Sequence, residues 1–84
     1  MRGVIEMVSA YVLINSEIGK ETELLKELKK INGVKEVFSV YGVYDIIAKV
    51  EGKTVNELKE VVIAKIRQLN YIRSTLTMIV MENI

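Results

Sequence analysis

The chain contains no cysteine, no histidine and no proline. Without cysteine there are no disulfides and no thiolate chemistry. Without histidine the commonest zinc ligand and the usual general base are both missing, and no triad of the common Ser-His-Asp type can form. The absence of proline leaves every strand and helix uninterrupted. The five glycines are scattered, so no Gly-rich phosphate-cradling loop is present. Nor is there an excess of one charge: 12 Lys and Arg stand against 11 Asp and Glu, a net charge of +1. Proteins that hold nucleic acid through its phosphates carry a clear basic excess, so no direct nucleic-acid contact is expected. No apolar run approaches the ~18 residues of a membrane span. Met1-Arg2-Gly3-Val4-Ile5-Glu6-Met7 lacks the apolar core and cleavage site of a secretion signal. A cytoplasmic setting, no membrane partner and no cofactor are therefore expected. Oxygen-only metal binding would need an acidic cluster that the sequence does not offer.

What the chain does have is apolar residues. Half of its 84 residues are hydrophobic and only 27% are charged. A domain this short buries only ~60–65% of the surface that its unfolded chain exposes. Small domains gain stability from disulfides, metals or association, and the first two are excluded here. The surplus apolar area is expected to be covered by another copy of the chain.

Val8–Asn15 is β-branched, aromatic and apolar on both alternating sets, which predicts a strand buried on two sides. Leu24, Leu25, Leu28 and Ile31 recur at helical spacing over 20–31, and Asn32-Gly33 stops that helix with a glycine free to turn left-handed. Residues 34–41 and 43–51 flank Gly42 as a hairpin. Thr54-Val55-Asn56-Glu57 is a capping box, opening a helix over about 55–68 with Val55, Leu58, Val62, Ile66 and Leu69 on one face. Residues 71–82 form the last and longest strand. The order β-α-β-β-α-β predicts an α+β, ferredoxin-like sandwich: a four-stranded antiparallel sheet with both helices on one face. Residues 1–7 are an N-terminal extension, with Met7 an alternative start, and 8–84 the domain.

In the last strand Tyr71, Thr75, Thr77, Ile79 and Met81 alternate with Ile72, Leu76, Met78 and Val80. Both sets are apolar or nearly so, whereas a strand with one wet face alternates apolar with polar. The sheet face without helices is expected to pair with a second sheet, as in a dimeric α/β-barrel-like assembly.

Two segments can carry chemistry. Ser39-Val40-Tyr41-Gly42-Val43-Tyr44-Asp45 is the tip of the hairpin. Gly42 permits close backbone approach and leaves amides free for a carboxylate, while Asp45 suits an ammonium. Together they match a free α-amino acid. The plainer reading is that Gly42 is a turn residue and Asp45 bonds its own hairpin backbone. In Arg73-Ser74-Thr75-Leu76-Thr77, hydroxyls can line a pocket between subunits. Thr75 and Thr77 are equally ordinary residues of β propensity.

These residues resemble the effector-binding (RAM) domain of the Lrp/AsnC, or feast/famine, regulators. The likeness covers about residues 8–82. It rests on Gly42-Val43-Tyr44-Asp45 with the following run Ile46-Ile47-Ala48-Lys49-Val50, on Ile31-Asn32-Gly33-Val34-Lys35-Glu36-Val37, and on Arg73-Ser74-Thr75-Leu76-Thr77. The resemblance implies dimers formed through the sheets, further assembly into octameric rings, and an amino-acid effector bound between dimers. It assigns ligand binding to Tyr41, Gly42, Tyr44, Asp45, Thr75 and Thr77, with Asp45 on the ammonium and the Gly42 backbone on the carboxylate. Such regulators carry an N-terminal helix-turn-helix domain, and only about seven residues precede the first strand here. The expected role is a stand-alone, non-enzymatic, amino-acid-sensing domain. It would act on transcription indirectly, by co-assembling with full-length relatives, or modulate an enzyme. The alternatives are a small dimeric α+β-barrel enzyme and an ACT-like regulatory or structural partner.

Overall fold

Alternation of buried and half-buried residues sets the sheet. In the computed structural model, which describes residues 7–81, β1 (Val8–Ser16) buries Ala10, Val12, Ile14 and Ser16 on one side. β3 (Ile46–Gly52) buries Ile46, Ala48 and Val50 on the same side. Around them lie α1 (Glu21–Lys29), β2 (Val34–Ser39), α2 (Val55–Glu60), a π-helical turn (Val61–Ile66) and β4 (Ile72–Ile79). The strand order is β2-β3-β1-β4, and every adjacent pair is antiparallel. This is the expected ferredoxin-like sandwich. The expected extension falls outside the described residues except for Met7, and so does the expected end of β4 at Glu82.

The helices contribute Leu24 and Leu28 from α1, Leu58 from α2, and Val61, Val62 and Ile66 from the π turn. Removing each such side chain from water contributes roughly 1.5–3 kcal/mol. Thr54 caps α2: its Oγ1 accepts from the Glu57 N–H at 3.1 Å. The Glu57 carboxylate reaches back one residue further than the capping box predicts, accepting from the Lys53 N–H at 2.7 Å. Gly33 ends the α1 connection at φ +106°, and a Cβ there would meet Val61 Cγ2 at 2.9 Å. Both conformation and space demand glycine at this position.

Three expectations need correction. First, the second helix is not α-helical throughout: Arg67 N–H donates to the Val62 carbonyl at 2.9 Å, a five-residue spacing. The run Val61-Val62-Ile63 is a poor α-helix former, and the wider turn lets Val61 join Val62 and Ile66 in the core. Val55, assigned to the buried face, is exposed in the first turn. Second, strand pairing in the hairpin stops at Ser39–Ile46, leaving 40–45 as a six-residue connection rather than a tight turn at Gly42. Third, β4 is shorter than β1, and its alternation flips at a bulge. Asn15 pairs with Ser74 but Ser16 pairs with Ile72, leaving Arg73 over. Ile72 therefore packs on the core with Ile79 and not with Leu76 and Met78.

Among the described residues no helix lies on the other sheet face. Pairing puts Tyr11, Leu13, Phe38, Ile47, Leu76 and Met78 there. Phe38, Leu76 and Met78 are each 45–49% exposed. The polar residues on that face partly satisfy one another: Lys49 Nζ lies 3.6 Å from Glu51 Oε2, and Asn15 Nδ2 donates to Ser74 Oγ at 3.3 Å.

Candidate functional site

The hairpin connection is fixed at its base and free at its tip. Val40 N–H donates to the Asp45 carbonyl at 2.9 Å, and Asp45 N–H donates to the Ile14 carbonyl at 3.0 Å. The Asp45 side chain then accepts from the Ser16 N–H through Oδ2 at 3.0 Å. Asp45 is thus held against the end of β1 by two backbone contacts. One carboxylate oxygen is committed to Ser16, which corrects the plainer reading: the amide it accepts from lies on β1 and not in its own hairpin. The tip is unsupported: Tyr41 is fully exposed and Val43 is 86% exposed. A Cβ on Gly42 would meet nothing within 4 Å, and its φ lies outside the positive range. No contact among the described residues requires glycine there.

Asp45 opens onto a cleft of about 410 Å3 lined by Asn15, Ser16, Ile18, Glu21, Asp45, Arg73 and Ser74. Three elements deliver five of these residues, Ile18 lying in the β1–α1 loop and Asp45 in the β2–β3 connection. The end of β1 supplies Asn15 and Ser16, the first turn of α1 supplies Glu21, and the β4 bulge supplies Arg73 and Ser74. The loops that meet here are tied together. Glu17 N–H donates to the Tyr71 carbonyl at 2.8 Å, and Lys20 Nζ sits 5.0 Å from the Tyr71 ring centre. Tyr71 has φ +76°, a conformation costing roughly 1–2 kcal/mol outside glycine, held by these contacts at the entry to β4.

Thr75 and Thr77 lie elsewhere. They pair with Ile14 and Val12, so they share the helix side of the sheet. Thr77 lines a groove of about 270 Å3 with Leu58, Val62 and Arg67, and Thr75 a depression of about 380 Å3 with Arg67, Arg73 and Ser74. Arg73 and Ser74 border both the Asp45 cleft and the Thr75 depression. Within one chain, then, Asp45 joins Arg73 and Ser74; Tyr41 and Gly42 project away; Tyr44 is half-buried beside Asp45 in sequence; and Thr75 and Thr77 sit across the sheet edge. Sequence reasoning passed over Asn15, Ser16 and Glu21. The Ser16 contribution is a backbone amide with no residue signature, and Glu21 reads as one more helix-face charge.

A family model, the Lrp/AsnC ligand binding domain, matches residues 9–84. The chain belongs to this family. Among solved structures it is similar to FFRP-DM1, at 41% identity, covering 87% of this chain and 97% of that one with a TM-score of 0.82. It is also similar to AsnC of E. coli, at 30% identity and a TM-score of 0.84, covering 90% of this chain but 52% of that one. A third likeness is to homocitrate synthase of Saccharolobus islandicus, 46% identical over 61 residues, which is 73% of this chain and 13% of the synthase. The chain thus spans a small part of that enzyme's length. Among the described residues no helix is long and apolar enough to cross a membrane.

Proposed function

We propose that this chain is an oligomeric regulatory domain that senses a free amino acid and has no catalysis of its own. The observation that carries the reading is the Asp45 cleft. An immobilised carboxylate and a guanidinium border one cavity of a size that takes small ligands. A zwitterion presents the two complementary charges. In this reading Asp45 holds the ammonium through its uncommitted oxygen, and Arg73 holds the carboxylate together with the free amides around Gly42 of a neighbouring copy. Membership of a ligand-binding family supports the assignment.

Assembly completes the site. The uncovered sheet face is apolar enough to seek a second copy. Among the described residues no contact requires glycine at 42, and the open space beside it leaves room for close approach by a neighbour or a ligand. Tyr41, Gly42, Thr75 and Thr77 would then meet the Asp45 cleft across a contact between copies. The natural setting is the cytoplasm. The output is transcription, through co-assembly with full-length Lrp/AsnC regulators. A second reading, control of an enzyme, is favoured by one observation: a segment 46% identical to this chain lies within the homocitrate synthases.

Thermal melting against the twenty amino acids at millimolar concentration tests the claim. At a hundredfold excess over Kd, binding stabilises by about 2.7 kcal/mol, several degrees in melting temperature for a domain this size. Asp45→Asn keeps an acceptor for the Ser16 N–H but loses the charge. It should leave the unliganded melt within about 1 kcal/mol and abolish the ligand shift. No shift with any amino acid, or an undiminished shift in Asp45→Asn, contradicts the proposal.

A further inference from the structure

The Asp45 cleft holds one charge that a neutral amino acid leaves unanswered. Glu21, in the first turn of α1, lines the same cavity as Asp45 and Arg73 and is half-buried. Among the described residues none of these three takes part in an ion pair; those present join Lys20 to Glu23, Lys30 to Glu27 and Lys49 to Glu51. Lys20, adjacent in sequence, is engaged with Glu23 and the Tyr71 ring, and so is not the partner of Glu21. The cleft therefore presents two carboxylates and one guanidinium. A zwitterion answers Asp45 and Arg73 and leaves Glu21 over. Ile18, 90% exposed, is the one apolar side chain in the lining and offers an aliphatic stem its only greasy contact there.

We infer that the effector is a basic amino acid, with its side-chain cation on Glu21, its methylene stem along Ile18, its α-ammonium on Asp45 and its carboxylate on Arg73. The inference rests on the amino-acid reading above and adds the identity of the side chain. The cleft volume of about 410 Å3 accommodates a long side chain. A partly buried charge-assisted contact of this kind is worth about a factor of ten in affinity.

Lysine against norleucine isolates the point, since norleucine keeps the stem and α-groups and lacks only the terminal ammonium. Calorimetry on the intact chain should give lysine an affinity about tenfold higher, with the gap narrowing as salt rises. Glu21→Gln should bring lysine down to within about twofold of norleucine and leave norleucine unchanged. Glu21 has no hydrogen-bond partner within the fold among the described residues, so that variant should fold normally. Norleucine or another neutral amino acid binding as tightly as lysine overturns the inference while leaving amino-acid sensing in place, and so does a preference that survives Glu21→Gln. If no amino acid binds at all, the sensing proposal fails, and this inference falls with it.

Discussion

The two faces of the sheet follow different rules. On the helix side, Ala10, Val12, Ile14, Ile46, Ala48 and Val50 are completely buried in one cluster with Leu24, Leu28, Leu58, Val61, Val62 and Ile66 from the helices. On the other side, Tyr11, Leu13, Phe38, Ile47, Leu76 and Met78 form an apolar surface that no part of the described chain covers. The first face explains why one chain folds. The second has no explanation among the described residues, and the same holds for Gly42, whose missing side chain relieves no contact with them. Features that a single copy does not account for are concentrated where a neighbour or ligand would stand.

Substitutions on the two faces should separate folding from assembly. The largest effect is expected from Leu28→Ala on the helix side. It leaves a cavity under α1 and should cost about 3 kcal/mol of unfolding free energy, read by urea denaturation at fixed protein concentration. A cost below about 1 kcal/mol would mean that the helix layer is not the main source of stability. Next is Leu76→Asp on the open face. It removes no buried contact from the single chain, but a charge in an apolar interface should weaken self-association by at least tenfold, about 1.4 kcal/mol. Sedimentation should show smaller species while circular dichroism is unchanged, and an unaltered mass would detach the open face from assembly. Thr54→Ala sharpens the contrast at the small end. Loss of the bond to the Glu57 N–H should cost about 1 kcal/mol of stability and leave the oligomer as it was.

The fold was legible because its signals are local. Helical spacing marked Leu24 and Leu28, β-branched runs marked the central strands, and Thr54 and Glu57 announced the start of α2. What escaped was set by partners far away in sequence. The bulge at Arg73 depends on how β4 meets β1 between Asn15 and Ser16, so simple alternation misassigned Ile72. The π turn follows from packing Val61 along with Val62, which helical spacing alone does not foresee. For the candidate site, Asp45 was visible as a carboxylate beside a turn. Its companions were not, because Asn15, Glu21 and Arg73 come together only through the sheet and the Glu17–Tyr71 tie. Thr75 and Thr77 were singled out from the same stretch that supplies Arg73 and Ser74, yet strand parity sends their side chains to the helix side.

The size of the particle in dilute solution bears most directly on the whole account. Sedimentation equilibrium at low micromolar concentration should return at least twice the 9.5 kDa chain mass. A single species of one chain mass, stable and soluble with Phe38, Leu76 and Met78 facing water, would contradict the account.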